Sequence, residues 1–190
     1  MPKSSRRSKT PAKRPLPGDL GGHALVERVL RVDHAGEYGA KRIYEGQLAV
    51  LGDTETGAVI RAMADNEAEH LAWFDRALNE AGARPTALYP VWHVAGYALG
   101  VATALMGPKA AMACTVAVEE AIDEHYTRQE ATLGTNERTL KSAVMKFHKD
   151  ELAHRDTALA HDAEATPGYE LISGAIKTGA RLAIWLSERI

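Results

Sequence analysis

The sequence predicts an all-α fold: a four-helix bundle of two repeated helical hairpins, plus an apolar helix and a C-terminal amphipathic helix. Three observations carry that expectation. From about Gly22 onward apolar residues return at three- and four-residue steps, and nothing reads as a sheet. The pair Glu-x-x-His occurs twice, as Glu67–His70 and Glu151–His154, which puts a carboxylate and an imidazole one turn apart on one helix face. Each pair is preceded by a further glutamate at a similar distance, Glu37 before Glu67 and Glu119 before Glu151.

The 190 residues fit one domain with a tail. Residues 1–18 carry Lys3, Arg6, Arg7, Lys9, Lys13 and Arg14 and no acid, so +6 of a net −2. Rich in Pro and Ser and poor in apolar residues, they are expected to be a disordered basic tail ahead of a folded domain over 19–190. No apolar h-region marks a secretory signal, and the tail has a transit-peptide composition without the amphipathic face. The single cysteine, Cys114, allows no disulfide within the chain and reads as a small buried apolar residue.

The first helix is expected from about His23 to Leu51, with Gly52 as its C′ residue and a new helix from Glu55. The second carries Ile60, Met63, Glu67, His70, Phe74 and Leu78 at helical steps and ends at Gly82 and Pro85. Residues 85–108 form a third, uncharged segment. The fourth helix starts at Pro108, a good first-turn residue, and runs to about Leu133. Gly134-Thr135-Asn136 makes the turn, the fifth helix runs to about Ala163, and Pro167 opens a sixth that lasts nearly to Ile190.

Helix geometry ties the motifs together. From Glu37 to the turn at Gly52 is about 22 Å, and from Glu55 to Glu67 about 18 Å. Glu119 to Gly134 and Asn136 to Glu151 each span about 22 Å. Two antiparallel hairpins therefore return each Glu-x-x-His to the depth of its preceding glutamate. Six side chains meet at one level, the ligand set of a dinuclear carboxylate site. Four carboxylates and two imidazoles suit a pair of first-row metal ions. Two iron ions are favoured because a carboxylate-bridged pair can share the electrons that activate dioxygen; ligand type alone leaves zinc and manganese open. Solvated helix faces would be the ordinary reading of such acids. But Glu37 stands among Ala35, Gly36, Gly39 and Ala40, and Glu119 follows Val116, Ala117 and Val118, so both carboxylates enter apolar surroundings.

Arg31-Val-Asp-His-Ala-Gly-Glu37-Tyr-Gly-Ala40, Ala113-Cys-Thr-Val-Ala-Val-Glu119-Glu120, His125-Tyr126 and the ending Leu182-Ala-Ile-Trp-Leu-Ser-Glu-Arg-Ile190 closely resemble the demethoxyubiquinone hydroxylase family. The resemblance covers about Arg28 to Ile190 and leaves out the basic tail. It implies a ferritin-like di-iron fold with Glu37, Glu67, His70, Glu119, Glu151 and His154 as iron ligands, Glu67 and Glu151 being natural bridging candidates. It also implies oxygen-dependent hydroxylation of the quinone ring late in ubiquinone synthesis, one oxygen atom entering the ring and the other leaving as water. The His125-Tyr126 pair belongs to the family's pattern, which makes both candidate catalytic residues. Tyr126, near the face of Glu119, is a candidate for proton or electron movement or for a supporting hydrogen bond. Asp33 and Asp123, four residues from Glu37 and Glu119, are candidates to orient a metal-bound histidine. His34, His148 and His161 are expected to be structural or at the surface.

The uncharged 85–108 is long enough for a membrane span. A single crossing would separate the two halves of the metal set, and the next helix is too acidic to return through lipid. The segment is therefore expected to lie against a bilayer or line an apolar channel. The last helix carries a stripe of Ile172, Ile176, Gly179, Ala183, Leu186 and Ile190 with Lys177, Arg181 and Arg189 around it, an interfacial pattern for which a dimer or bundle contact is the alternative. The expectation is a peripheral membrane monooxygenase acting on a polyprenyl quinone with O2. Its place would be the cytoplasmic face of a bacterial cell membrane or the matrix side of the mitochondrial inner membrane. A homo-oligomer and contacts with other ubiquinone-biosynthesis proteins are open, and the electron donor is unspecified, since no Gly-x-Gly-x-x-Gly fingerprint occurs. Iron storage shares the ligand set but has no use for 85–108. Nucleic-acid binding rests on the tail alone and is not expected.

Overall fold

The computed structural model describes residues 22–190. The expected basic tail, 1–18, and the domain boundary drawn after it lie outside the described residues. Among these, six α-helices and one short 3-10 turn account for the regular structure: α1 (Gly22–Leu51), α2 (Glu55–Ala81), α3 (Tyr89–Leu105), α4 (Pro108–Thr132), α5 (Arg138–Ala160), the turn Ala163–Ala165, and α6 (Tyr169–Ser187). The all-α, ferritin-like expectation holds. α1 and α2 form one antiparallel hairpin and α4 and α5 the other, while α3 packs along α1 and α6 along α4. Each half is thus a hairpin with an outer helix laid on its first member.

Local chemistry explains most boundaries. Thr54 caps α2, its Oγ1 accepting the Gly57 N–H at 3.0 Å. Gly82, at φ 63°, ends α2 in the left-handed conformation that suits glycine. Pro108 opens α4 as expected. Three details differ from the sequence reading. Gly52 is not in the left-handed region, because α1 closes by its N–H bonding the Leu48 carbonyl at 2.9 Å and Thr54 makes the turn. α5 stops at Ala160, where Asp162 turns left-handed at φ 59°. α6 begins at Tyr169, two residues after Pro167, because Gly168 intervenes at φ 74°.

Two apolar clusters fill the bundle, one on each side of the motif level. The first gathers Tyr44, Ile60, Met63, Met112, Val116 and Ala158; the second gathers Val29, Phe74, Leu78, Tyr126, Val144 and Phe147. In every hairpin helix the Glu or His of the motif lies between residues of one cluster and residues of the other. A layer of acids and imidazoles is thereby sealed by hydrophobic packing above and below.

Candidate metal centre

All six motif residues are buried: Glu37, Glu67, Glu119 and Glu151 at 4% exposure or less, His70 at 0% and His154 at 7%. A solvated-face reading is incompatible with that burial. The side chains form two groups whose offered ligand atoms lie within 4.8 Å of one another, Glu37, Glu67, His70 and Glu151 in one, Glu67, Glu119, Glu151 and His154 in the other. Glu67 and Glu151 belong to both. His70 Nδ1 faces Glu151 at 3.1 Å and Glu37 at 3.4 Å. His154 Nδ1 faces Glu67 at 3.0 Å and Glu151 at 3.3 Å.

The donors fit a pair of cations. Glu67 Oε1, His70 Nδ1, Glu119 Oε2, both Glu151 oxygens and His154 Nδ1 are buried without a hydrogen-bond partner. Six such atoms converging in one layer would be costly in an ordinary core, where buried polar groups are satisfied. Two divalent ions bring four positive charges to four carboxylates. The crowding of buried charge shows in the proton affinities. Burial, then the nearby Glu151, Glu37 and Glu119 charges, pushes Glu67 well above the carboxylate range, and burial followed by Glu151 does the same to Glu119. Burial would also raise Glu151, but the imidazoles of His154 and His70, 3.3 and 3.1 Å away, outweigh it and hold that carboxyl at about 2. His70, whose burial opposes its charge, is driven by Glu151 and Glu37 up to about 10.

The surrounding hydrogen bonds repeat between the halves. Tyr126 O–H donates to Glu37 Oε1 at 2.6 Å, and Tyr44 O–H donates to Glu119 Oε1 at 3.2 Å. Each tyrosine lies seven residues after the glutamate of its own helix and bonds the glutamate of the other. Burial, then the adjacent Glu37 charge, keeps the Tyr126 hydroxyl protonated well beyond its ordinary range. The sequence reading placed Tyr126 near Glu119 and overlooked Tyr44, although Glu-x6-Tyr stands in both halves. His125 turns elsewhere: its Nε2 pairs with Asp33 at 3.0 Å and Gln129 at 2.8 Å, none of the six.

Neither Asp33 nor Asp123 orients His70 or His154, which corrects that expectation. Asp33 serves His125, and Asp123 pairs with His148 at 2.7 Å. The residue that meets a motif histidine is Asp150, whose Oδ2 lies 3.1 Å from His70 Nε2 and leaves Nδ1 facing the carboxylates. It reaches His70 across the bundle from α5, a relation that spacing within one helix does not reveal. His34 is a buried strut to Asp75 at 2.9 Å, His148 is held between Asp123 and Glu130, and His161 caps its own helix at the surface.

Beside this layer lies an apolar cavity of about 490 Å³, lined by α1, α3, α4 and α6 and open to the outside. Gly36 and Val118, the neighbours of Glu37 and Glu119 in the chain, are among its walls, as are Trp92 and Leu99 of the uncharged segment. Among the described residues no helix is long and apolar enough to cross a membrane. The α6 stripe is also reoriented: Ile176, Gly179 and Ala183 line the cavity, while Leu171, Leu182 and Trp185 are the exposed apolar residues. Lys177 and Arg181 are tied to Glu120 and Glu124 of α4, so two of the three expected basic flanks are instead a clamp holding α6 in place.

The sequence model of the family "Ubiquinone biosynthesis protein COQ7" matches residues 24–187. The chain is 55% identical over 176 residues to the 3-demethoxyubiquinol 3-hydroxylase of Rhodospirillum rubrum, covering 92% of this chain and 83% of that protein. It is 50% identical over 171 residues to the human mitochondrial NADPH-dependent 3-demethoxyubiquinone 3-hydroxylase (88% and 79%). With the mitochondrial 5-demethoxyubiquinone hydroxylase of Saccharomyces cerevisiae it shares 40% over 184 residues (88% and 79%). A doubled Glu…Glu-x-x-His layer beside an apolar cavity, matched to this model over nearly the whole described chain, places the protein in the ubiquinone biosynthesis protein COQ7 family.

Proposed function

We propose that this chain is an oxygen-dependent hydroxylase of a demethoxyubiquinone-type polyprenyl quinol, acting late in ubiquinone biosynthesis, and that residues 19–190 form its catalytic domain. The observation that carries the reading is the juxtaposition of a buried dinuclear donor set with an apolar cavity in a member of this family. Glu37 and His70 would hold one iron, Glu119 and His154 the other, and Glu67 and Glu151, common to both groups, would bridge them. When bound, the iron pair supplies the redox chemistry for activating O2. A ring C–H becomes C–OH, and the second oxygen atom leaves as water with two protons and two electrons from a reductant. The human relative is named NADPH-dependent, and we assign a reduced nicotinamide as that reductant here.

The protein's own residues do the rest. Apolar walls exclude water and receive the ring and the first part of its chain; a volume of this size suits one such ligand, not a whole polyprenyl tail. Tyr126 and Tyr44 hold protons at Glu37 and Glu119. Exposed apolar residues on α3 and α6, which flank the cavity, support a peripheral position on a membrane from which the tail need never leave apolar surroundings. We place the protein on the cytoplasmic face of a bacterial cell membrane, with the matrix side of the mitochondrial inner membrane as the alternative; its relatives include proteins of both kinds. The test is turnover by the iron-loaded protein of a demethoxyubiquinone precursor under 18O2 with NADPH. Incorporation of one labelled atom into the ring is expected. Label drawn from water, or oxidised iron accumulating as mineral with the quinone untouched, would overturn the reading.

A further inference from the structure

Two groups stand out among the glycines inside the helices. Gly46, Gly96 and Gly100 sit where α1 crosses α3, and a Cβ at Gly100 would come within 2.0 Å of the Ile43 carbonyl oxygen, one at Gly46 within 2.3 Å of that of Tyr97. Close backbone approach accounts for them. Gly36 and Gly39 on α1 and Gly179 on α6 are different. A Cβ at any of the three meets no protein atom within 4 Å, and none has the positive φ that favours glycine. Glycine in a helix interior is less stable than alanine, so neither packing nor backbone conformation explains these choices.

What the three share is the cavity, which all of them line. Gly36 and Gly39 are three residues apart on one face of α1, beside Glu37; Gly179 belongs to the α6 wall. We propose that Gly36, Gly39 and Gly179 are specificity-determining residues, their missing side chains leaving the space that a prenylated benzoquinone ring occupies. The inference rests on the proposed function and deepens it. Atoms added at these positions take volume from the ligand and none from the protein. Substitution should therefore stabilise the molecule while weakening quinone binding, a combination that a packing role does not give.

The test uses Gly39→Ala, Gly39→Leu and Gly179→Leu in the full-length iron-loaded protein, with Gly174→Ala as control. Gly174 is a helical glycine of α6 with equally open space but is outside the cavity wall. The readouts are Tm, iron content, and the Kd of a decyl-substituted dimethoxybenzoquinone followed by quenching of tryptophan fluorescence, Trp92 being in the cavity wall. Both alanine variants should raise Tm by about 2–4 °C. The leucine variants should keep both irons and wild-type or higher Tm while Kd rises at least tenfold, and Gly174→Ala should leave Kd unchanged. Leucine variants with wild-type Kd, or a Tm that falls together with affinity, would overturn the assignment. Quinone binding without hydroxylation by the wild type would instead count against the proposed reaction, leaving the binding comparison to judge the glycines.

Discussion

Asp150 sets the orientation of His70, and its removal should be felt at the metals. Asp150→Asn keeps the size but gives up the charge on His70 Nε2, and metal affinity should fall about 10–100-fold with helix content unchanged. Competition with a chelator measures it; unaltered affinity would leave Asp150 as a surface residue. The tyrosines make a paired prediction. Tyr126→Phe and Tyr44→Phe each remove one hydrogen bond to a buried glutamate, at a cost of about 1 kcal/mol. Both variants should bind two irons and hydroxylate more slowly, with the larger loss at Tyr126, whose bond is shorter. Single-turnover rates decide this, and wild-type rates would make the hydroxyls packing only. At this scale the sequence disclosed what repeats along one helix: Glu67 and His70, Glu151 and His154. Partners reached across the bundle, such as Asp150 for His70 or Tyr44 for Glu119, depend on helix packing, and periodicity carries no record of it.

Helix α6 is held to α4 by charge. Arg181 and Lys177 reach Glu124, and the hydrogen bond from Arg181 keeps its carboxyl down at about 2. A folded-state value below the ordinary carboxylate range means the contribution is present above about pH 4.5 and is lost as pH falls toward 2. The carboxylate is over a third exposed, so the effect is small and screened by salt. Glu124→Gln should lower Tm by at most about 3 °C at pH 7 in low salt, and by nothing measurable at pH 2 or in 1 M salt. A salt-independent loss would point to packing instead. The helices themselves were legible nearly to the residue, because Pro108, Thr54 and Gly82 act locally. The orientation of α6 was not. Its apolar residues ring much of the helix, and only the pairing of Lys177 and Arg181 with α4 decides which of them turn toward the cavity and which toward the outside.

At the scale of the whole molecule, exposed apolar residues lie on the two helices that flank the cavity: Val94 on α3 is 66% exposed and Leu182 on α6 56%. Each side chain fully transferred to lipid contributes about 1.5–3 kcal/mol. Val94→Asp with Leu182→Asp should therefore release the protein from liposomes. Turnover of a long-chain quinone should fall while that of a short soluble analogue survives; unchanged liposome binding would place the membrane contact elsewhere. Trp92 and Leu186 are less suited to such a test, since both are half-buried and Trp92 Nε1 donates to Ser187 Oγ at 3.0 Å. The depth match of two hairpins, by contrast, was already in the spacing of Glu37, Glu67, Glu119 and Glu151, and the layer they form is the centre of the account. Its most direct test is anaerobic titration of the metal-free protein with ferrous ion, counting ions bound per chain for the wild type and for Glu151→Ala, which removes a carboxylate common to both groups. The account predicts two ions for the wild type and at most one for the variant, with helix content near normal and no turnover. Two ions and wild-type turnover in Glu151→Ala, or none bound by the wild type, would contradict it.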